Sequence, residues 1–204
     1  MVRRSLGLSF AAGIFISIGG SVYLSSKDNV VGAVLFCVAL LSICYLRLFL
    51  FTGKVGYIVS SHKGSDVAEL LLTLVGNLAG TLVGGMMISQ AKPALMSAAR
   101  INCEARLTLD AAAVLIAAFF CGILMYTAVA IYKEKNSPLG IFFCVPVFIL
   151  CGFEHSIADM FYFFAARMFS AEVFVFLLLV VIGNALGGML IPAIRMFTEE
   201  KTNG

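Results

Sequence analysis

Six apolar runs, each long enough to form a transmembrane helix, follow one another along the 204-residue chain. A helix needs about 20 apolar residues to cross the hydrocarbon core of a bilayer, where every backbone polar group must find its partner within the protein. The runs cover about residues 6–24, 30–60, 67–89, 107–132, 139–167 and 171–197. The sequence therefore predicts an all-α integral membrane protein with six transmembrane helices and both termini on one side.

The composition agrees with a chain that lies almost entirely within the bilayer. Hydrophobic residues make up 61% of the sequence and charged residues only 12%, about half the charged fraction of a typical soluble domain. The net charge of +3 gives no indication of a nucleic-acid partner. Five of the six cysteines lie in apolar runs and no CxxC pair occurs, so we expect neither a disulfide framework nor a metal or other cofactor.

The charges that flank the apolar runs predict the orientation in the membrane. Lys and Arg are more frequent on the cytoplasmic side of membrane proteins. With the N-terminus inside, the inner flanks carry more of these residues than the outer flanks, although the difference is modest. We expect a multi-pass protein of the cell inner (plasma) membrane with both termini cytoplasmic. No cleavable signal peptide is evident after Arg3 and Arg4.

An unusual polar stretch, GFEHSIADMF at Gly152–Phe161, interrupts one of the most apolar parts of the chain. Ionisable side chains in hydrocarbon cost several kcal/mol, so Glu154, His155 and Asp159 are expected to face protein or a cavity. Gly152 and the nearby Pro146 are residues at which a transmembrane helix breaks. The stretch is therefore a candidate functional site at an interrupted fifth helix. Metal binding is a weak alternative, because no second group of ligands accompanies these three residues.

The two halves of the chain resemble each other. FAAGI at 10–14 resembles FFCGI at 119–123, and VGNLAGTLVGG at 75–85 resembles IGNALGGMLIP at 182–192. Between them, FTGK at 51–54 corresponds to FEHS at 153–156. Three spans per repeat is an odd number, so the halves, about 6–89 and 107–197, must insert in opposite senses. Inverted repeats with paired broken helices are typical of transporters. We predict one pore domain, residues 1–204, with helices 2 and 5 broken.

Several motifs are similar to those of the formate/nitrite transporter family. GFEHSIADM at 152–160 resembles the family's GFEHSIANM signature, and LFTGK at 50–54 resembles its LFTGN-type loop. GIL at 122–124 and GNALGG at 183–188 resemble its motifs in spans four and six. The resemblance implies a homopentamer of six-helix protomers, each with its own pore and an aquaporin-like inverted repeat. Members pass formate, nitrite, hydrosulfide, acetate or lactate, in channel-like or proton-coupled fashion.

The same resemblance assigns expected roles to individual residues. The central histidine is His155, the loop threonine is Thr52 and the asparagine of the last span is Asn184. Apolar constrictions fall on both sides of the centre, and their residues follow by counting from the motifs. They are Phe36, Leu40 and Phe148 on one side, and Leu50 and Val129 on the other.

The chain departs from the family pattern at several positions. Asp159 replaces the usual asparagine, Lys54 replaces the asparagine of FTGN, and Phe49 replaces a glutamate. The family's basic residue before span four maps to Asp110. We expect Arg106, one helical turn earlier on the same face, to attract anions to the vestibule in its place.

Physical chemistry suggests what the central residues do, and leaves alternatives for each. Histidine titrates near neutral pH and can provide a proton or a charge, or it can be a neutral brace. Thr52 can bond the substrate or cap a helix. Asp159 can orient the His155 ring or pack at a protomer interface. Glu154 is expected to accept bonds from loop amides rather than contact the substrate. Asn77 and Asn184 can brace the loops or line the pore, and bracing is favoured for Asn77. Helix N-termini at the two breaks would also favour an anion.

Three function classes follow from these features. A pore for small monovalent anions, either passive or proton-linked through His155, is the leading hypothesis, with the anion, membrane lipid and further copies of the chain as partners. An aquaporin-like channel for small neutral solutes fits the repeat but lacks paired NPA loops. An intramembrane enzyme is disfavoured, because HExxH, GxSxG and usable pairs of catalytic carboxylates do not occur in the sequence.

Overall fold

The computed structural model describes residues 2–61 and 63–200, and this part of the chain forms nine α-helices and no strand. A single 3₁₀ turn, Val55–Ile58, follows α3. The helices are α1 Val2–Ser25, α2 Asn29–Tyr45, α3 Phe51–Lys54, α4 Gly64–Ala91, α5 Pro93–Leu107, α6 Ala111–Lys135, α7 Leu139–Leu150, α8 Ser156–Ala165 and α9 Ala171–Glu200.

Four of these helices are long and apolar enough to cross a membrane. They are α1, α4, α6 and α9, with candidate spans Val2–Ser25, Gly64–Ala91, Ala111–Lys135 and Ala171–Thr198. The second and fifth predicted runs instead contain shorter apolar helices, α2 with α3 and α7 with α8. The chain is therefore an all-helical, multi-pass membrane protein.

The backbone turns in the same way after α2 and after α7. In both cases the first residue beyond the cap adopts a left-handed conformation, with φ of 54° at Arg47 and 67° at Gly152. The N–H of the following residue then reaches back to the helix, from Leu48 to the Ile43 carbonyl and from Phe153 to the Phe148 carbonyl, at 2.9 Å each. This is the Schellman ending of an α-helix, which satisfies carbonyls left open by the last turn.

Proline does not end α7, although Pro146 lies inside it. The helix continues to Leu150 and ends at the left-handed Gly152. Glycine tolerates positive φ without a steric penalty, whereas Arg47 adopts the same conformation with a full side chain.

The polar stretch between the third and fourth predicted runs contains helix α5, which the apolar pattern did not indicate. Pro93 lies in its first turn, a position where the missing N–H costs nothing. The next helix, α6, begins at Ala111 rather than Leu107, because Asp110 accepts a hydrogen bond of 2.9 Å from the Ala113 N–H and caps it. Arg106 and Asp110 therefore belong to different segments, and the expectation that they share one helix face is wrong.

Glycines allow two pairs of long helices to pack closely, α1 with α4 and α6 with α9. In the first pair, a Cβ on Gly13 would lie 2.5 Å from the Asn77 carbonyl oxygen and 2.9 Å from the Gly80 Cα. In the second pair, a Cβ on Gly122 would lie 2.8 Å from the Gly188 backbone nitrogen. Small residues at such crossings are typical of membrane helix pairs.

Replacement of Gly13 by alanine should destabilise the protein by about 1–3 kcal/mol, because the new methyl group meets backbone atoms that cannot rotate away. Gly7→Ala in the same helix is the matched control, since nothing lies within 4 Å of its Cβ position. Thermal unfolding of both purified variants in mild detergent provides the measurement. Equal midpoints would show that the α1–α4 contact is not tight at Gly13.

Candidate functional site

The Thr52 and His155 side chains meet in the interior, where α3 and α8 begin. Thr52 Oγ1 lies 2.9 Å from His155 Nε2, although 103 positions separate the two residues in the chain. Both residues are fully buried, with exposures of 0% and 1%. The interruptions after α2 and α7 thus bring together the two polar side chains that the sequence placed at the centre of the pore.

Hydrogen bonding defines the form of the imidazole in this structure. His155 is the N-cap of α8, and its Nδ1 accepts a hydrogen bond of 3.1 Å from the Ala158 N–H. A nitrogen that accepts cannot carry a proton, so the neutral ring has its proton on Nε2 and donates it to Thr52 Oγ1. The hydroxyl proton of Thr52 then has no other acceptor among the described residues, and it is free to donate to a bound anion.

Two phenylalanines from the predicted constriction lie beside the imidazole. The Phe148 ring stacks on His155, with centroids 5.5 Å apart and an angle of 26° between the planes. Phe36 meets Phe148 edge to face at 6.1 Å and 88°. All three side chains are buried. An ion at this point would therefore have an apolar wall on one side and only the Thr52 and His155 polar groups on the other.

A cavity of about 500 Å³ contains the other predicted constriction residues, Leu50 and Val129. Leu40, which the sequence analysis grouped with Phe36 and Phe148, also lines this cavity. Leu40 thus borders the cavity together with Leu50 and Val129. Phe36 and Leu40 are one helical turn apart on α2, which continues to Tyr45. Leu40 therefore lies one turn further along the helix axis than Phe36.

Asn77 holds the start of α3 by three hydrogen bonds to the backbone. Its Oδ1 accepts from the Phe51 N–H at 2.9 Å, and its Nδ2 donates to the carbonyls of Ser9 and Phe49 at 2.8 Å each. The side chain is fully buried in α4. The geometry is that of a brace, as the sequence analysis expected for this residue.

Asn184 makes the corresponding three bonds at the start of α8. Its Oδ1 accepts from the Ser156 N–H at 2.8 Å, and its Nδ2 donates to the carbonyls of Ala118 and Glu154 at 2.8 and 2.9 Å. Both amide protons are thus engaged with backbone carbonyls. A contact between Asn184 and a substrate would require the loss of one of these bonds, so the geometry favours bracing for this residue too.

Three charged side chains form a cluster behind the His155 loop. Arg106 Nε lies 2.8 Å from Glu154 Oε2 and 3.4 Å from Asp159 Oδ1, and both carboxylates are buried. Burial opposes the charge of Arg106, but Asp159 and Glu154 outweigh this effect and raise the pKa of the guanidinium above its ordinary range. Asp159 therefore contacts Arg106, and no hydrogen bond joins it to the His155 ring in the described part of the chain.

Two basic residues at the cavity were missed by the sequence analysis. Arg47 and Lys133 line it together with Lys54, which was noted only as a departure from a motif. Lys54 Nζ pairs with Glu69 Oε2 at 2.7 Å and lies 3.6 Å from the centre of the Phe49 ring. Lys133 follows Val129 by four positions, a spacing that places both residues on one helix face. Because Val129 was expected at the pore, this spacing could have predicted that Lys133 also reaches the cavity.

Comparisons with known proteins agree with this architecture. The profile of the formate/nitrite transporter family matches residues 1–198. The chain belongs to the formate/nitrite transporter family. Its membership makes it a membrane transport protein rather than an enzyme. Separately, the described residues contain no group of three or more His, Cys, Asp or Glu side chains that could hold a metal ion.

Two solved structures of similar fold are an "FNT family ion channel" and a "Pentameric formate channel with formate bound". The first has a TM-score of 0.83 and 22% identity, over 97% of this chain and 89% of its own. The second has a TM-score of 0.85 and 20% identity, over 98% of this chain and 97% of its own. A search of curated proteins gives no match. At these identities the structural likeness shows only that this chain shares the fold of the two solved structures.

Removal of the Arg106 guanidinium should leave two buried carboxylates without their partner. Arg106→Ala should therefore lower stability by about 2–4 kcal/mol, less than for a fully buried pair because Arg106 is 18% exposed. Adding Asp159→Asn should restore part of the loss, since one of the unpaired charges is then gone. Denaturation in detergent measures both effects.

Arg100→Ala is the matched control, because Arg100 pairs with Glu104 on the exposed side of the same helix. A variant Arg106→Ala that is as stable as the control would contradict the structural role of the cluster. It would leave Arg106 with the anion-attracting role expected from the sequence.

Proposed function

We propose that the protein is a channel or transporter for small monovalent anions of weak acids, such as formate or nitrite, with the Thr52–His155 contact at the centre of its pore. The observation that carries this proposal is that contact: two buried polar side chains, from two interrupted helices, meet beside an apolar aromatic wall. Family membership supports transport of this substrate class. The known formate channel of similar fold is consistent with it.

The proposed pore is formed by six spans in an inverted repeat. We take α2 with α3 as one broken span and α7 with α8 as the other, which adds two spans to the four long helices. The matching bonds of Asn77 and Asn184 support this arrangement, as do the matching Schellman endings at Arg47 and Gly152. The repeats then correspond to about 6–89 and 107–197, within one pore domain.

The permeation path in this proposal passes two apolar constrictions. Phe36 and Phe148 lie on one side of His155, and Leu50 and Val129 border the cavity on the other. An unpaired ion loses its hydration in such a narrow apolar passage at a high free-energy cost. The free hydroxyl proton of Thr52 and the N-terminus of α8 reduce this cost at the centre, whereas the four-residue α3 contributes little.

Protonation removes the remaining cost, because a neutral acid crosses an apolar constriction far more easily than its anion. The ring would first take up a proton at Nδ1; the Nε2 proton of this imidazolium then passes to the Thr52 oxygen as the Thr52 hydroxyl proton passes to a substrate oxygen, which leaves a neutral ring and a neutral acid. Charging the imidazole would replace the Nδ1 acceptor by a donor and break the bond from Ala158. The imidazolium is therefore favoured only while an anion is present beside it, which couples the proton to the substrate.

Uptake of formate into proteoliposomes should rise as the pH falls, and His155→Asn should abolish this dependence. Asparagine cannot titrate near neutral pH, but its oxygen is a good N-cap acceptor, so it retains the bond from the Ala158 N–H and the fold. Thr52→Val provides a companion variant without the hydroxyl donor. We expect it to slow uptake at every pH.

The pH profile of a folded His155→Asn variant decides the role of the imidazole. A profile equal to that of the wild type would show that His155 only braces the loop. Flux of water or a small polyol without any anion flux would favour the alternative, an aquaporin-like channel for neutral solutes, and would contradict the proposal.

We further propose that the protein assembles as a homopentamer in the plasma membrane, with both termini cytoplasmic and lipid around the assembly. Large apolar side chains are exposed along the long helices, among them Leu71, Val75 and Met87 on α4 and Phe174 and Leu178 on α9. Such surfaces require either lipid or another copy of the chain. The formate channel of similar fold is itself pentameric.

Native mass measurement of the protein in a gentle detergent should give five copies per particle. Gly7→Ala, which alters only an open position of α1, should give the same number of copies per particle. A stable monomer or trimer under conditions that preserve transport activity would contradict the pentamer.

A further inference from the structure

The cavity at Leu50 and Val129 is lined by three basic side chains, more than the single basic residue expected to attract a monovalent anion to the vestibule. They are Arg47 from the turn after α2, Lys54 at the end of α3 and Lys133 near the end of α6. The cavity volume of about 500 Å³ lies within the range typical of small-molecule sites. It exceeds by far what an ion of the size of formate occupies.

Only one of the three positive charges is balanced by an acidic side chain. Lys54 pairs with Glu69, whose other oxygen accepts a bond of 3.1 Å from Ser5. Lys133 Nζ lies 3.8 Å from the centre of the Tyr57 ring. Within the described residues, neither Arg47 nor Lys133 has an ion pair.

The neighbouring acidic residue does not change this balance. Glu134 follows Lys133 directly but pairs with Arg195 at 2.7 Å. Arg47 and Lys133 are both exposed, so water, and no carboxylate within the described residues, solvates their two positive charges at this cavity.

This charge balance distinguishes between possible ligands. A monovalent anion neutralises one of the two charges, whereas a divalent oxyanion neutralises both. Guanidinium and ammonium groups are the usual protein partners of such oxyanions, the first by paired N–H donors and the second as a point charge. Leu50 and Val129 border the same cavity, and an apolar constriction opposes a second charge even more strongly than the first. The divalent ion would bind but not pass.

We propose that this cavity is a regulatory site for a divalent oxyanion of the size of inorganic phosphate, which binds between Arg47 and Lys133 and blocks the pore. The binding half of this proposal stands on the cavity alone, and the blocking half rests on the proposed transport function. In the proposed orientation the site faces the cytoplasm. A high internal concentration of divalent oxyanion would then reduce the flow of the monovalent substrate.

Calorimetric titration of the purified protein in detergent with inorganic phosphate, at a pH where it is a dianion, tests the binding. Ionic strength is held constant with chloride. We expect saturable binding that Lys133→Gln and Arg47→Asn each weaken about tenfold or more. Asparagine is chosen at position 47 because it tolerates the left-handed conformation found there. Lys133→Arg should retain binding, and Arg100→Gln, on the exposed face of α5, is the control.

A second measurement tests the block. Formate uptake into proteoliposomes is measured with and without phosphate on both sides, and each variant is compared with its own phosphate-free rate. Phosphate should slow the wild type and Lys133→Arg but not Lys133→Gln. Equal inhibition of Lys133→Gln and the wild type would overturn the blocking half.

Three results would overturn the binding half. The first is equal phosphate affinity in Lys133→Gln, Arg47→Asn and the wild type. The second is displacement of phosphate by chloride at equal ionic strength. The third is the absence of saturable binding. If the wild type fails to transport formate without phosphate, the proposed function fails, but the calorimetric result still decides whether the site exists.

Discussion

The structure depends on how the backbone is satisfied in the connections between α2 and α3 and between α7 and α8. Each of these connections leaves N–H and C=O groups without partners in a helix, and each unsatisfied group costs several kcal/mol in an apolar environment. One asparagine resolves this at each break, because a carboxamide offers both a donor and an acceptor. Asn77 bonds Phe51, Ser9 and Phe49, whereas Asn184 bonds Ser156, Ala118 and Glu154. Each amide joins a loop, a half-helix and a neighbouring long helix, so the position of the central residues follows from these bonds.

The sequence indicated the proximity of Thr52 and His155, because the signals there are chemical and rare, while their role in a pore stays a prediction. Ionisable residues in an apolar run, the paired GN motifs and the FTGK and FEHS strings indicated that Thr52 and His155 approach each other, and the structure places them in hydrogen-bond contact. The family resemblance is confirmed by the match over residues 1–198. The apolar pattern, however, carried no information on α5, since the charges of Arg100, Glu104 and Arg106 make a short helix resemble a polar connection in composition.

Contacts of charged side chains were the least predictable part of the site. Arg106 was expected to attract anions, but Glu154 and Asp159 hold it. Asp159 lies four positions after His155 on α8, a spacing that permits contact, yet the Arg106 charge is the stronger partner for a buried carboxylate. Arg47 was overlooked because a positive charge inside a long apolar run indicates neither its depth nor the direction of its side chain. Lys133 lies just beyond the fourth apolar run, and only its spacing of four positions from Val129 indicated that it reaches the cavity. These features depend on tertiary packing between α5, α6 and α8, which local sequence patterns do not encode.

The two breaks are similar in backbone and different in chemistry. The residue that caps α3 is Leu50 and the residue that caps α8 is His155, with nearly the same extended backbone, φ of −112° and −111°. Leu50 provides no side-chain cap, whereas the His155 ring accepts a bond from the Ala158 N–H. The N-cap residue of α3 is thus an apolar side chain beside the cavity, whereas the N-cap residue of α8 is a titratable ring. The asparagine bonds hold the backbone at both positions without contacting either of these side chains. The two connections therefore differ in the chemistry of the capping side chain, while the backbone φ of the capping residue is nearly the same.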